Sequence, residues 1–231
     1  KELILASSSD IRRKILDDNG ISYIAKNHNF DEKILKTDKA VSPNNLSLKL
    51  ARGKAMSLRD EFFNHVILGC DQVCLLKDRI FSKPLTVDKA VNNLSILSGQ
   101  THQLIGSYVF IKNGDVLYEE TITTNMTMKS LTKTEIVDYV ELDQPLKSCG
   151  SYMFEKNGYK LFSEVEGSLE AINGMPINHL IENLEKMYRV TKTYGHDRGF
   201  SCAFRQWASG TDCQYLHGYS LGFKVVLESP T

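Results

Sequence analysis

What this chain lacks narrows its chemistry before any motif is read. The five cysteines, Cys70, Cys74, Cys149, Cys202 and Cys213, are odd in number and form no Cys-x-x-Cys pair. That argues against a disulfide framework and a structural zinc site, and for a reducing compartment, the cytoplasm. The six histidines offer no His-x-x-x-His pair, which counts against a histidine-rich zinc site. There is no P-loop and no G-x-G-x-x-G, so the usual nucleotide motifs are missing. No apolar run approaches the length of a membrane span. The opening KELILAS is too short and wrongly flanked for a signal peptide, and it lacks an initiator Met, as in a trimmed or partial N-terminus. Charge of one sign is also missing: 28 Lys and Arg balance 28 Asp and Glu. No global field therefore favours nucleic acid or a membrane, and any anion site has to be local.

What is present is an ordinary globular composition, 42% hydrophobic and 24% charged over 231 residues, enough for one large domain or one domain plus an appendage. The chain is organised around Leu3 to Gly20. Leu3 to Ala6 is apolar and short enough for a buried strand. Ser7, Ser8, Ser9 and Asp10 can cap a helix whose apolar face is Ile11, Ile15 and Leu16 and which Gly20 stops. Arg12, Arg13 and Lys14 crowd the first turn of that helix, where the backbone already carries partial positive charge. An anion at the serine loop would remove the conflict, since N–H groups, hydroxyls and guanidinium forks make a phosphate cradle. A solvated basic face is the alternative.

Further on, a short strand is expected at Ser22 to Ala25 and a long polar loop at Asn27 to Asn45, holding Asp31 and Glu32. A helix is expected at Leu46 to Phe62, with Arg52 and Lys54 off its apolar stripe. Apolar runs at Val66 to Cys70 and Val73 to Leu76 flank Asp71 and Gln72. Thr86 caps a helix to Leu97. Asn113-Gly114 turns a hairpin within Gln103 to Met128. Thr132 and Glu135 form a capping box. Strands are expected at Ser151 to Phe154 and Tyr159 to Val165, joined by Asn157-Gly158. Pro176 opens a last strong helix with Ile177, Leu180, Ile181, Leu184 and Met187 on one face. The order implies an α/β fold, a mixed β-sheet flanked by helices.

Among polar residues Asp71 stands out. A carboxylate between apolar runs is costly to bury without a partner, so it reads as a general base or metal ligand at a strand end, or else as a turn aspartate. Gln72 reads as a base-edge contact or a turn cap. Lys83, rigidified by Pro84, reads as a phosphate-holding point charge or a plain surface lysine, and Lys54 repeats that choice on a helix. Glu32 and Glu155 are unremarkable alone.

Together, LILASSSDIRR, FDE at 30–32, LARGKA at 50–55, GCDQV at 69–73, SKPLT at 82–86, LSGQTH at 97–102, CGSYMFE at 149–155, VEGS at 165–168 and INGMP at 172–176 resemble the Maf family of nucleotide pyrophosphatases, first named as septum-formation inhibitors. The resemblance spans about residues 1–190. It implies a mixed α/β fold with a deep cleft. It also implies hydrolysis of a nucleoside triphosphate to the monophosphate and pyrophosphate with a divalent cation, Mg or Mn. By position it makes Asp71 the proton acceptor, and Ser9, Arg12, Arg13, Lys54 and Lys83 substrate-binding residues. Ile11, Gln72 and Glu155 match positions tied to base selection, and Glu32 with Asp71 would meet the metal. The Asp71-Gln72 pair resembles the 7-methyl-GTP branch rather than the dTTP and UTP branch. Asp10 departs from the pattern, which has Pro in the serine loop, and an added acid there would weaken phosphate binding. The implied partner is a nucleoside triphosphate, with no nucleic acid and no membrane; a homodimer is left open.

From Thr191 the character changes. FSCAF followed by Cys213-x-x-x-His217-Gly-Tyr219 resembles the start of the 6-pyruvoyl and 6-carboxytetrahydropterin synthase family. Its zinc positions would fall at Phe204, His217 and Tyr219, and one imidazole does not make a three-ligand site, so no metal is expected there. The domains expected are therefore a Maf-like domain at 1–190 and a partial, truncated segment at 191–231. Two functions compete: a house-cleaning pyrophosphatase of the nucleotide pool, and a nucleotide-binding regulator of cell division with little turnover. The presence of Asp71 favours the first, since a pure binder has no need of it.

Overall fold

Leu3, Ile4, Leu5 and Ala6 have no polar side chain to hydrate and are wholly buried, forming the strand β1 (Leu3–Ala6) at the heart of the molecule. The computed structural model describes residues 3–38, 40–187, 189–196 and 221–228. After β1 come α1 (Asp10–Asp18), β2 (Tyr23–Lys26), α2 (Glu32–Thr37), α3 (Pro43–Met56), β3 (Ile67–Leu76) and β4 (Arg79–Phe81). The chain continues with α4 (Val87–Leu97), β5 (Thr101–Lys112), β6 (Asp115–Met128), α5 (Lys133–Asp143), β7 (Phe162–Glu166), α6 (Leu169–Ile172) and α7 (Ile177–Met187). A separate antiparallel pair, β8 (Arg189–His196) and β9 (Leu221–Glu228), follows.

Seven strands make one mixed sheet in the order β2-β1-β3-β5-β6-β7, with β4 paired to β3. β1 runs parallel to both β2 and β3; the remaining pairs are antiparallel. The mixed α/β class expected from the sequence is the one observed. On one face, α1 and α7 pack Ile15, Leu16, Leu180 and Leu184 against Leu5, Leu68 and Phe110. On the other, α3 lays Ala51 and Ala55 on Ile4, Ala6, Ile67 and Val109. A third cluster joins α4 and α5 to the far end of the sheet through Leu94, Leu97, Ile136 and Val140.

Three local expectations are corrected. The loop expected at Asn27 to Asn45 contains α2, capped by Asp31, and the first residues of α3, which begins at Pro43 after Ser42. A Pro at N1 needs no N–H and is pre-set in φ, so Ser42-Pro43 was the start signal. Ser151 to Phe154 is not a strand: Gly150 and Ser151 both take positive φ, 74° and 64°, which breaks extended backbone. Asp71 and Gln72 do not interrupt the run around them. β3 passes straight through both, so the turn-aspartate alternative falls away. The tail residues Phe204, Cys213, His217 and Tyr219 lie outside the described residues.

Candidate active site at a gap in the sheet

β3 is ten residues long, but its two edges are not equally covered. β5 pairs with it from Ile67 to Leu75. On the opposite edge β1 reaches Ile67, Leu68 and Gly69, and β4 covers Cys74, Leu75 and Leu76. Residues 70–73 thus have no strand on that edge among those described. Asp71 and Gln72 occupy this gap, where the serine loop leaves the end of β1.

Because alternate residues of a strand point to opposite faces, the two neighbours answer to different surroundings. Gly69, Asp71 and Val73 face α3. A Cβ at Gly69 would stand 2.2 Å from the Ala51 carbonyl oxygen, so the glycine lets α3 lie directly on the strand. One turn along, Lys54 reaches down, is itself 7% exposed, and donates a hydrogen bond to Asp71 Oδ1. The same ammonium ion-pairs with Glu32 Oε1 at 2.9 Å. Glu32 also accepts from Lys36 and has His28 Nε2 at 3.5 Å. Burial pushes the Glu32 carboxyl up, but the hydrogen bonds and charges of Lys36 and Lys54 outweigh it and hold it at about 2. Burial, then the Lys54 charge, holds the His28 imidazole below its usual range, against the opposing pull of Glu32 and Asp71. The start of α2 is pinned by Phe30, whose ring rests on Gly53; a Cβ there would be 2.6 Å from the ring.

The other face carries the arginine. Arg12, buried on α1, donates from Nη1 to the Cys70 carbonyl at 2.8 Å and the Ser7 hydroxyl at 3.5 Å, and from Nε to the Gly174 carbonyl at 3.3 Å. Its Nη2 makes no hydrogen bond among the described residues, which leaves two donors for a ligand. Gln72 Nε2 donates to the carbonyls of Ala171 at 2.9 Å and Ile172 at 3.1 Å, and its Oε1 accepts from the Cys149 thiol at 3.8 Å. Burial pushes that thiol up to about 11, with Asp71 adding to the effect and Arg12 and Lys83 opposing it. All three charges therefore reach the one sulfur.

Of the residues singled out in the sequence, Glu32, Lys54 and Asp71 come into direct contact, and Arg12 and Gln72 adjoin them through β3. Lys83 is exposed on the segment before Pro84, within electrostatic reach of Cys149. Ser9 caps α1 by position, yet its hydroxyl makes no capping bond. Ile11 packs against the α1 side of the core. Arg13 lies further out: its nearest carboxylate is Asp10 at 3.9 Å, and it bears on Tyr23. Glu155 sits among Tyr139, Asp143 and Lys156, with its carboxyl raised by burial. Two site residues carry no individual signal in the sequence reading: His28, a lone histidine four before Glu32, and Cys149, present only as a letter of CGSYMFE.

Fold and site together define a mixed α/β protein with a carboxylate–lysine–carboxylate chain set in a gap of its central sheet, beside a buried arginine and a helix N-terminus. The chain belongs to the Maf-like protein family, whose model matches residues 2–187. It is 35% identical over 185 residues to "Nucleoside triphosphate pyrophosphatase" of Legionella pneumophila strain Philadelphia 1, covering 80% of this chain and 92% of that one. A protein of the same name from Pelagibacter ubique is 35% identical over 190 residues, covering 80% and 97%. "7-methyl-GTP pyrophosphatase" of Rhizobium etli is 34% identical over 191 residues, covering 80% and 96%. Among solved structures the Staphylococcus aureus Ham1 protein gives a looser likeness, TM-score 0.39 at 12% identity over 80% of this chain and 99% of that one. No helix among the described residues is long and apolar enough to cross a membrane.

Proposed function

We propose that the chain hydrolyses a nucleoside triphosphate to the monophosphate and pyrophosphate, with 7-methyl-GTP or a similarly modified nucleotide favoured. The observation that carries this reading is Asp71, a carboxylate aimed by Lys54 into a gap that Arg12 borders from the other face. The names of the relatives support the same reaction, and the Asp71-Gln72 pair supports the modified-guanine branch.

Arg12 Nη2, the open N-terminus of α1 at Ser9, and Lys83 neutralise the phosphates. Arg13 adds charge at the rim. Asp71 orients and deprotonates a water for attack on the α-phosphorus. The bond from that phosphorus to the bridging oxygen breaks, and pyrophosphate leaves with the electron pair. Ile11, Gln72 and Glu155 are the residues assigned to the base.

No group of three His, Cys, Asp or Glu among the described residues stands ready to hold a metal by itself. Glu32 and Asp71 nonetheless offer two hard oxygen donors flanking Lys54, and one or two carboxylates together with substrate phosphates are the usual holders of magnesium. These two residues therefore fit a divalent cation that arrives with the triphosphate, and such an ion supplies charge neutralisation on the phosphate oxygens. The segment from 191 contributes none of the residues named here, and the reading of it as a partial pterin-synthase-like piece rests on FSCAF, Cys213 and His217.

The test is pyrophosphate release from a panel containing 7-methyl-GTP, dTTP and UTP. The full chain is expected to release it, and Asp71→Asn to bind nucleotide without turnover. Turnover retained by Asp71→Asn removes Asp71 from the base role. Binding without turnover by the unaltered chain turns the reading to the regulatory alternative.

A further inference from the structure

Cys149 takes its significance from the surroundings of Gln72. The amide of Gln72 is held at both ends. Its nitrogen donates to two carbonyls, those of Ala171 and Ile172, which lie at the end of α6. Two acceptors there fix which end of the amide is the nitrogen, since only the NH2 has hydrogens to give. The oxygen is held by the Cys149 thiol. A thiol at neutral pH donates only if it is protonated, and burial in the cleft keeps this one so. Gly150, with φ 74°, carries the sulfur into place: a Cβ on it would meet the Tyr152 ring at 2.7 Å and the Cys74 sulfur at 3.0 Å.

The geometry points to Cys149 as a positioning residue for base selection, acting through Gln72. With both ends of the amide engaged, its plane is set, and its carbonyl oxygen keeps a second lone pair as an open acceptor. An acceptor fixed in direction selects among bases by where each edge carries its donor: a ring N–H in guanine, uracil and thymine, an exocyclic amino group alone in adenine and cytosine. Without the thiol the amide pivots on its two carbonyl anchors and the direction of the acceptor is lost.

This inference rests on the proposed hydrolysis, and the test separates the two. Pyrophosphate release is measured for GTP, 7-methyl-GTP, UTP, ATP and CTP with the unaltered chain, Cys149→Ala and Cys149→Ser. The expected result is that Cys149→Ala reduces the ratio of kcat/KM for GTP over ATP at least fivefold, mainly through KM, with kcat for each nucleotide changed less than twofold. Cys149→Ser, whose hydroxyl also donates, restores most of the ratio. A ratio unmoved by Cys149→Ala, or all nucleotides weakened equally, overturns the role of Cys149 while leaving the hydrolysis standing. Absence of pyrophosphate release from every nucleotide by the unaltered chain overturns the function on which it rests.

Discussion

Lys54 is the residue on which the site turns. It joins Asp71 on β3 to Glu32 on α2, and its side chain is almost wholly enclosed. Removing one partner from a buried ion cluster leaves the others uncompensated, which typically costs about 3–5 kcal/mol. Lys54→Met is therefore expected to lose both turnover and stability, read as a lower urea midpoint with unchanged m-value. Lys54→Arg is expected to recover stability better than activity, because a planar fork cannot take the place of a compact ammonium between two carboxylates. Asp10 belongs to the same scale. Its side chain is 97% exposed at the first position of α1, so its charge lies toward solvent near the open helix end. Asp10→Pro keeps an allowed N1 residue and deletes that acid. The expected outcome is a KM for nucleotide lowered severalfold with kcat held, measured by pyrophosphate release.

Elements are brought together here by missing side chains. Gly69 and Gly53 are the two faces of one contact: the first lets α3 settle on β3, the second lets Phe30 settle on α3. Gly53→Ala drives a methyl into the Phe30 ring and displaces the start of α2 with Glu32. Overpacking of this kind costs about 1–3 kcal/mol. Gly69→Ala meets backbone oxygen rather than a movable ring and is expected to be the more damaging, with the order of thermal midpoints as the check. Much of this architecture was legible in the sequence. The apolar run before the serine loop is β1, Asn113-Gly114 is a tight turn with positive φ at both residues, and Thr132 with Glu135 makes both bonds of a capping box. The illegible parts have physical reasons. The polar pair Asp71-Gln72 reads as a break because periodicity sees hydrophobicity, whereas the strand is continued by its pairing to β5. Ser151 to Phe154 and Tyr159 to Val165 read as two strands because their aromatics are strand-formers; the second is a strand from Phe162 on, but a Cβ at Gly158 would lie 2.5 Å from the Met153 oxygen, a close approach that coils the chain before it. That Lys54 meets Asp71 depends on how α3 crosses β3, which sequence spacing does not encode.

At the scale of the whole molecule, His102 is a pH-sensitive point of the fold. It is buried between Tyr152 and Phe162, bonds the Tyr152 hydroxyl at 2.8 Å, and burial pushes its pKa down to about 4. The unfolded chain takes a proton near 6.5 and the folded chain resists until about 4. The stability this confers is complete above pH 6.5 and is lost as pH falls toward 4, by about 3 kcal/mol for a shift of that size. Urea unfolding at pH 7.5 and pH 4.5 is expected to show the drop, and His102→Gln to flatten it. A flat profile in the unaltered chain would remove His102 as its cause.

Asp71 and Gln72 are consecutive, and an extended backbone sends them to opposite sides of one sheet. The acid is tuned from the α3 side, the amide from α6 and the loop at 149–151. The two neighbourhoods are held by different elements, yet they meet at Cys149, where the Asp71 charge adds to the burial that keeps the thiol protonated, so the bond that is broken and the base that is chosen are positioned separately but stay electrically in touch. A substitution in α6 or in the loop at 149–151 therefore reaches the amide first, and one in α3 reaches the acid first.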